Sequence, residues 1–363
     1  MPTWPRPAAA SFAARSAIVM RGRARAREEQ ALLIDIYCHI YPDRFFREMT
    51  KAAPNLENIG KRLRGVTKLF DLDARFKEMD EFGDYREIIS LPNPAIEDIA
   101  PPDVGLNLAR IANDSMAELC RKHPDRFPAF AAALCLTDVE GSVAEARRAI
   151  NDLGARGVLI YTNVAGEPLD QPKFEPIFAT MAELDLPIWL HPVGTAAMPD
   201  YPAEKKSRFE MWWCFHWPYE TSVAMVRLVF WGLFDRYPKL KIVTHHLGGM
   251  IPYYDGRVGA GLKVLGQRTS DEDYSKILPS LKRPHMDYLH GFYADTAMFG
   301  GGPHATRCGL EFFGADQVVY ATDTPLGPIA PTIKTIDALG LSDTDRRKIF
   351  SGNAEKLLNM KFQ

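Results

Sequence analysis

Short apolar segments alternate with longer amphipathic segments along most of the chain. Each apolar segment has the length and the content of β-branched or aromatic residues that favour a buried strand. The predicted strands are residues 31–40, 85–91, 127–135, 157–162, 186–192, 240–246, 291–297 and 317–323. Several of the segments between them end at Gly or Pro, as helices do. The predicted helices include residues 104–123, 139–154, 174–185 and 221–238.

Eight strands that alternate with helices predict one parallel sheet, because parallel neighbours need a long crossover connection. Closing eight such strands into a ring gives a (β/α)₈ barrel. An open doubly wound sheet is the alternative, but its GxGxxG fingerprint does not follow the first strand. We therefore predict an α/β fold, a single (β/α)₈ TIM barrel over residues 31–363 with insertions after strands 1 and 5.

Residues 1–30 stand apart from this pattern as a basic N-terminal extension. The first 27 residues contain six arginines and no acidic residue. This composition is typical of an organelle transit peptide and equally of an unstructured basic tail. A third interpretation is a start codon assigned too early, with translation beginning further on, for instance at Met20. All three interpretations remain open.

Composition narrows the class of protein. The 363 residues are 46% hydrophobic and 25% charged, as in ordinary globular proteins. The formal net charge of -2 gives no indication of a nucleic acid or a membrane as partner, and no apolar run is long enough to span a bilayer. The five cysteines are scattered and odd in number, which favours a reducing, cytoplasmic compartment over a disulfide framework or a thiolate zinc site.

Four polar residues fall at the carboxyl ends of predicted strands, where barrel enzymes carry their catalytic groups. His39, His191, His246 and Asp323 end the first, fifth, sixth and eighth strands. Imidazole nitrogens and a carboxylate that converge at one barrel mouth are the ligand set of zinc or a related divalent ion. If the sixth strand is regular, alternation turns His245 away from His246, to packing or to a supporting role.

Five short motifs follow one another in a fixed order along the chain. They are Asp35-Ile-Tyr37-Cys-His39, His191-Pro192, His246-Leu-Gly248-Gly249-Met-Ile-Pro252, Thr322-Asp323-Thr-Pro325 and Gly352-Asn353-Ala354. Together they resemble the amidohydrolase superfamily, and within it the branch of aminocarboxymuconate-semialdehyde decarboxylase. The resemblance covers residues 31–363. It implies a divalent metal and the nonoxidative decarboxylation of an unsaturated or aromatic carboxylic acid.

The resemblance also implies roles for individual residues. The metal ligands of the family fall on Tyr37, His39, His191 and Asp323. Zinc is the expected ion, with manganese or iron as alternatives. His246 falls on the histidine that serves as acid or base with the metal-bound water, and Asp323 is a second candidate proton carrier. Related aromatic acid decarboxylases carry a glutamate at the position of Gly249, so its absence resembles the semialdehyde decarboxylase subgroup.

Tyr37 departs from the family pattern, which has a histidine at this position. Alternation places its side chain on the same face as His39. A phenol with a pKa of about 10 must lose its proton to be a good ligand, although a nearby dication favours that loss. Tyr37 is therefore a phenolate ligand, a hydrogen-bonding partner of the metal-bound water or the substrate, or the sign of a metal-free site. His39, His191 and Asp323 alone would supply the three ligands that a catalytic zinc site needs.

Several residues are candidates for holding a small-molecule carboxylic acid substrate. Trp212 and Trp213 lie in the segment MWWCFHWP after the fifth strand, which predicts an apolar wall for an unsaturated ring. The same segment is equally typical of a homodimer interface. The candidate cations for the substrate carboxylate are Arg75, Arg257, Arg62 and Arg64.

Two other functions remain open from the sequence. A hydrolase or hydratase on the same barrel would use a metal to activate water against a carbonyl, a lactone or a double bond. A catalytically inert or scaffolding homologue would have lost the site through Tyr37. Release of carbon dioxide separates the decarboxylase from the hydrolase, and metal content separates both enzymes from the inert homologue.

Overall fold

The computed structural model describes residues 32–54, 56 and 59–362, so the predicted basic extension lies outside the described residues. Every predicted strand contains a shorter observed one. The strands are β1 (Leu33–His39), β2 (Tyr85–Ser90), β3 (Ala129–Phe130), β4 (Ala132–Ala133), β5 (Val158–Tyr161), β6 (Asn163–Val164), β7 (Glu167–Pro168), β8 (Ile188–His191), β9 (Ile242–Thr244), β10 (Tyr293–Asp295) and β11 (Val318–Val319).

Helices fill most of the connections between the strands. The α-helices are Asp43–Ala52, Ile59–Arg64, Leu72–Met79, Pro102–Lys122, Val139–Asn151, Glu175–Leu184, Trp217–Phe230, Leu233–Arg236, Asp255–Leu262, Ile277–Ser280, His285–Leu289, Pro303–Phe313, Ile329–Asp337, Asp343–Arg347 and Asn353–Leu357. Short 3₁₀ turns cover Thr67–Leu69, Asp80–Phe82, Ile96–Asp98 and Pro172–Phe174, and π-helical turns cover Trp212–His216 and Lys348–Gly352. The helix predicted over 221–238 is divided at Gly232, whose φ of 70° lies in the left-handed region.

The main strands pair in parallel, in the orders β1-β2-β3 and β4-β5-β8-β9-β10-β11. β3 and β4 are parts of one extended segment and are separated only by Ala131. β1 is also bonded to the chain that follows β11, since His39 N donates to Thr324 O at 2.8 Å and Asp323 N donates to Tyr37 O at 3.1 Å. The prediction of an α/β fold around a parallel sheet is confirmed. None of the helices in the described part of the chain combines the length and apolar character needed to cross a membrane.

Alternation along the strands separates two hydrophobic cores. In β8, for example, Ile188 and Leu190 join the core beneath the helices, whereas Trp189 joins a second core on the opposite face of the sheet. That second core takes residues from each of the parallel strand segments: Ile34, Ile36, Ile88, Ala129, Ala131, Leu159, Trp189, Val243, Tyr293 and Val319. One face of the sheet therefore packs on helices. The other face is filled largely by the sheet's own side chains, joined by Ala354 and Leu357 of the last helix and by Leu358 and Phe362 after it.

β1 is irregular where it approaches the predicted site. Its pairing with β2 shifts register after Asp35, and such a bulge changes the direction of the side chains that follow. The buried Asp35 carboxylate accepts hydrogen bonds from Tyr37 N at 3.2 Å, Tyr85 Oη at 2.6 Å and Thr322 Oγ1 at 2.5 Å. Asp35 thereby ties β1 to β2 and to the segment after β11, and it fixes the end of β1.

Candidate metal centre

Three histidines and one aspartate converge at the carboxyl ends of the strands. His39, His191 and His245 each offer one ring nitrogen, and these nitrogens lie within 4.8 Å of one another. Asp323 Oδ1 lies 2.9 Å from His39 Nε2 and 3.6 Å from His245 Nε2. All four side chains are buried. The structure thus brings together His39, His191 and Asp323, and it adds His245.

Each of the three rings is oriented through its Nδ1 atom. The partners of His39, His191 and His245 are, in that order, the carbonyl oxygen of Leu91 at 3.0 Å, the carbonyl oxygen of Pro192 at 2.6 Å and the carboxylate of Asp295. A ring that donates from Nδ1 keeps the lone pair of Nε2 for a metal. Histidines that bind metals are typically held in this way by a carbonyl or a carboxylate.

Two atoms of the cluster, His39 Nε2 and Asp323 Oδ1, have no hydrogen-bond partner among the described residues although both are buried. They face each other at 2.9 Å, but their geometry is not that of a hydrogen bond. Leaving a polar atom buried and unsatisfied costs about 1–3 kcal/mol. A divalent cation satisfies both atoms at once, because it accepts electron pairs from imidazole nitrogen and carboxylate oxygen alike. The donor set therefore fits a divalent metal.

Burial and charge act in opposite directions on Asp323 and His245. Burial raises the pKa of Asp323, but the His245 and His39 rings beside its carboxylate outweigh burial and hold this pKa well below its usual range. Burial lowers the pKa of His245, but the neighbouring carboxylates of Asp295 and Asp323 outweigh burial and raise this pKa to about 9. Asp323 is therefore ionised, and a metal that binds His245 must displace a proton.

His191 responds to the same surroundings in the opposite way. Burial lowers its pKa well below the usual value, and the neighbouring His245 and His39 lower it further. At neutral pH the ring is uncharged and carries a free lone pair. His191 is thus in the protonation state that a metal ligand requires.

Tyr37 is fully buried in the centre of this group. Its ring stacks on that of His245, with ring centroids 3.9 Å apart and planes inclined by 18°. The rings of His39 and His191 lie at centroid distances of 5.5 and 5.8 Å. The Tyr37 hydroxyl has no hydrogen-bond partner among the described residues. Burial first, and then the charge of Asp295, raise the pKa of Tyr37 well above its ordinary value.

His245 and His246 both lie at the site, for different reasons. Val243 of β9 joins the second core and Thr244 turns to the opposite face, so alternation places His245 on the same face as Val243. β9 ends at Thr244, and His246 and Leu247 then take positive φ values of 53° and 49°, a left-handed conformation that is uncommon outside glycine. This turn brings the His246 ring beside that of His245, with centroids 3.7 Å apart. The expectation for His245 is therefore corrected: its ring belongs to the cluster.

His246 borders the cluster. Its Nδ1 donates to Ala297 O, and its backbone N–H donates to Asp295 Oδ1 at 3.0 Å. Nε2 is consequently the nitrogen that remains to exchange a proton with a ligand. Burial lowers the pKa of His246, and the positive charge of His245 lowers it further, to about 4. At neutral pH the ring is uncharged and able to accept a proton.

Gly249 lies three residues beyond His246 and cannot be replaced without a clash. Its φ is 62°, and a Cβ atom at this position would lie 2.9 Å from Ser222 Oγ and closer still to Pro218 O. Both neighbours belong to the first turns of the helix Trp217–Phe230. A glutamate at position 249 would therefore have to displace that helix. The absence of a carboxylate here follows from close backbone packing.

Aromatic side chains continue from the histidines around the cluster. Trp217 lies against His191 at a centroid distance of 5.7 Å, and Trp213 lies 6.4 Å from Trp217. Phe299 lies 5.5 Å from Trp213 and 5.6 Å from His246. We call Trp213, Trp217 and Phe299 the aromatic rim. Together with the histidines it forms a continuous ring of aromatic groups, which suits a flat unsaturated ligand.

The rim differs in part from the predicted substrate wall. Trp213 belongs to it, whereas Trp212 is buried behind it, at a centroid distance of 5.9 Å from Trp217. Phe299 was not predicted as a site residue. The indication in the sequence is an aromatic residue shortly after the seventh predicted strand, but aromatic residues at such positions commonly serve packing.

Arg75 does not offer a free cation to a substrate. It is only 1% exposed. Its Nε donates to Glu87 Oε2 at 2.6 Å, and its Nη1 donates to His39 O, also at 2.6 Å. Burial raises the pKa of Glu87, and the charge of Arg75 counteracts this. The expectation that Arg75 binds the substrate is thus corrected, because its guanidinium supports the end of β1. Arg257 is exposed on the helix Asp255–Leu262 and stays a candidate.

Comparison with known proteins identifies the family. The family model described as Amidohydrolase matches residues 34–360. The chain belongs to the amidohydrolase family. A gamma-resorcylate decarboxylase from a Rhizobium species is 32% identical to this amidohydrolase over 308 aligned residues, and the match covers 81% of this chain and 89% of the relative. A 2-amino-3-carboxymuconate-6-semialdehyde decarboxylase from Dictyostelium discoideum is 28% identical over 309 residues, with coverage of 83% and 80%.

A solved structure agrees with these relatives. The dihydroxybenzoic acid decarboxylase from Polaromonas sp. JS666, with bound manganese and the inhibitor 2-nitroresorcinol, matches with a TM-score of 0.74 and 29% identity. The match covers 90% of this amidohydrolase and 97% of that chain. The relatives indicate a carboxy-lyase of the amidohydrolase superfamily, as the five sequence motifs predicted.

Proposed function

We propose that this amidohydrolase is a metal-dependent, nonoxidative decarboxylase of an unsaturated or aromatic carboxylic acid. The observation that carries the proposal is the buried cluster of His39, His191 and Asp323, in which two ligand atoms lack a protein partner. The aromatic rim beside it suits a planar substrate. The named decarboxylases, 28% to 32% identical over most of their length, support the same reaction type.

The proposal includes the architecture that positions these groups, a closed (β/α)₈ barrel over residues 31–363. Three observations support closure. β1 is bonded both to β2 and to the segment after β11, β3 and β4 belong to one segment, and the second core draws on all the parallel strand segments. The connections 40–84 and 192–216 are the proposed insertions after the first and fifth barrel strands.

A divalent metal would be held by His39, His191 and Asp323. When bound, it would act as a Lewis acid that stabilises negative charge on an oxygen of the substrate. Zinc, manganese and iron all suit imidazole and carboxylate ligands. Zinc is the ion that we expect from the ligand types. Manganese is the first alternative, because the Polaromonas relative contains it.

The chain's own groups have to supply a proton at the carbon that loses carbon dioxide. If that carbon is protonated first, the electron pair of the breaking carbon–carboxylate bond returns to the π system of the substrate instead of remaining on carbon. His246 is placed to relay this proton: its ring is neutral, so Nε2, the nitrogen left for exchange, first takes up a proton from the substrate or from solvent and then gives it to the carbon. Asp323 is the second candidate carrier.

The test is a panel of hydroxybenzoates and aminocarboxymuconate semialdehydes incubated with the purified protein. We expect release of carbon dioxide from at least one of them, loss of activity on chelation, and recovery with zinc or manganese. Addition of water without carbon dioxide would support the hydrolase or hydratase alternative. Absence of stoichiometric metal together with absence of turnover would support the inert homologue.

We further propose a homodimer in the cytoplasm. Exposed aromatic side chains cluster on the segment before and within the helix Trp217–Phe230: Tyr201, Phe209, Phe215 and Tyr219. Patches of this kind favour contact with a partner. Sedimentation at about twice the chain mass of 40.8 kDa would support the dimer, and sedimentation at that mass would refute it. The cytoplasmic location rests on the cysteine pattern alone.

A further inference from the structure

We infer that His245 supplies the metal ligand that the first-strand motif lacks at Tyr37. The inference rests on the metal centre of the proposed function, but on neither the substrate nor the reaction. In the family pattern the first strand contributes two ligands. Here it contributes only His39, and the structure brings an imidazole into the cluster from the end of β9 instead.

The position of His245 is that of a ligand. It belongs to the same group of converging nitrogens as His39 and His191, and its ring centroid lies 5.0 Å from that of His191. Its Nε2 lies 3.6 Å from Asp323 Oδ1, the atom that has no hydrogen-bond partner among the described residues. The side chain is 1% exposed. A cation bound to Asp323 Oδ1 would therefore lie within reach of Nε2.

Asp295 prepares His245 for this role. Its Oδ2 faces His245 Nδ1, so the ring keeps its Nδ1 proton and directs the other nitrogen into the cluster. A carboxylate behind a histidine is a common support for a metal ligand, because it fixes the tautomer and increases the basicity of the ring.

A second group of converging ligand atoms consists of His245, His246 and Asp295, but it is a weaker metal site. Asp295 Oδ1 already accepts hydrogen bonds from His246 N at 3.0 Å and from Ala297 N at 2.9 Å, while Oδ2 faces the His245 ring. This carboxylate is saturated by the protein. It is a support for His245, whereas Asp323 retains an unsatisfied oxygen.

Tyr37 supports the same arrangement without being a ligand. Its ring lies almost parallel to that of His245, at a centroid distance of 3.9 Å, and so it keeps His245 from rotating away from the cluster. The backbone also contributes, since β9 ends at Thr244 and the positive φ of His246 turns the chain directly after His245. Strained conformations of this kind persist where the surrounding structure requires them. The ligand set that results is His39, His191, His245 and Asp323.

The test compares two neighbouring histidines by metal affinity, measured on the purified full chain by competition for zinc with a coloured chelator. We expect His245→Asn to weaken zinc binding by ~10²-fold or more, since even loss of a supporting residue weakens binding by 10–100-fold. The matched variant His246→Asn should change zinc affinity by less than about threefold, a change too small to count as the loss of a ligand or its support. Equal losses in both variants, or an unchanged affinity in His245→Asn, would overturn the inference.

One further measurement keeps the inference testable if His245→Asn does not fold, and a second one sharpens it if that variant folds. X-ray absorption of the zinc-loaded wild-type protein should count three imidazoles at the metal, and a count of two would refute the inference. In a second comparison, Tyr37→His in the His245→Asn background should restore zinc binding, whereas Tyr37→Phe should not. Equal recovery with both would refute it. These readouts are independent of turnover, so a protein with three imidazoles and no carbon dioxide release would refute only the proposed function.

Discussion

The metal centre and the aromatic rim lie side by side but are built differently. His39, His191 and Asp323 stand at strand ends and are at most 4% exposed. Trp213 and Phe299 stand on connections outside the sheet, and each is 38% exposed. The groups that hold the metal are thus fixed by the sheet, whereas the groups placed to contact a substrate are carried by connections. Changes in the rim can alter the substrate while the metal centre stays intact.

The metal centre and the rim also differ in the contacts that hold their residues in place. The metal centre rests on buried polar contacts: Asp35 joins β1 to the segment after β11, and Arg75 holds the carbonyl of His39. The rim is held mainly by ring contacts, at centroid distances of 5.5 to 6.4 Å, together with one hydrogen bond from Trp217 Nε1 to Gly194 O at 3.3 Å. We therefore expect large effects from substitutions behind or within the metal centre, and small ones from substitutions in the rim.

The largest effect should come from Asp323→Asn, because an amide oxygen carries no charge to balance the metal. We expect loss of stoichiometric metal and a fall in turnover of ~10⁴-fold, since a metal contributes several kcal/mol to charge stabilisation. Elemental analysis measures the metal content, and carbon dioxide release measures the turnover. The control is Asp316→Asn, an exposed aspartate paired with Lys348, which should retain metal and turnover. Full metal content with turnover within tenfold of wild type would contradict this view of the centre.

The next largest effect concerns stability. Arg75→Met leaves the Glu87 carboxylate buried without its partner, which typically costs about 3–5 kcal/mol of unfolding free energy. Urea denaturation of both proteins gives the difference. The double variant Arg75→Met/Glu87→Met should recover most of the loss, because neither member of the pair is then left buried without its partner. A single variant as stable as wild type would show that the pair does not support β1.

His246→Gln should reduce turnover by ~10²-fold, the lower range for loss of a positioned proton carrier. Metal content should stay at the wild-type level, which separates a proton carrier from a ligand. The measurement is kcat together with elemental analysis of the same preparation. Loss of metal in step with turnover would assign His246 to the ligand set instead.

The smallest effect should come from the rim. Phe299→Ala removes an aromatic contact worth about 0.5–1.5 kcal/mol, so we expect kcat/KM to fall about two- to tenfold. Metal content and the urea midpoint should not change. Tyr253→Ala, which removes an equally aromatic but 77% exposed side chain outside the rim, serves as the control. If the two substitutions have equal effects on kcat/KM, the rim has no role in substrate binding.

The strands and part of the centre could be predicted because they depend on local signals and on one geometric rule. Buried parallel strands appear in the sequence as short apolar runs. Each run predicted as a strand contains a strand in the described structure. Strand ends of a parallel sheet meet at one edge, so His39, His191 and Asp323 had to come together. The sequence could not show which of two adjacent histidines shares the inner face with Val243. It is His245, and His246 reaches the site only because the backbone turns there with positive φ, for which the sequence carries no signal.

The remaining errors come from partners that lie far away in the sequence. The sequence predicts that Arg75 is free to bind a substrate, but β2 places Glu87 beside its guanidinium. Phe299 joins the rim only because the connection after β10 folds towards Trp213, at a centroid distance of 5.5 Å. In both cases the identity of the residue was informative, but its neighbour was decided by tertiary packing.

Gly249 has a consequence for how activities of this family can change over evolution. The first turns of the helix Trp217–Phe230 pack directly against the Gly249 backbone. Ser222 Oγ and Pro218 O occupy the position that a Cβ atom of residue 249 would take. A single codon change to glutamate would therefore meet a steric barrier before it could offer any new chemistry. In this chain a glutamate at position 249 requires the start of the helix to move as well. The set of acidic groups at the site and the path of a neighbouring helix are thus coupled through one residue, so replacing that residue alone does not simply add a carboxylate.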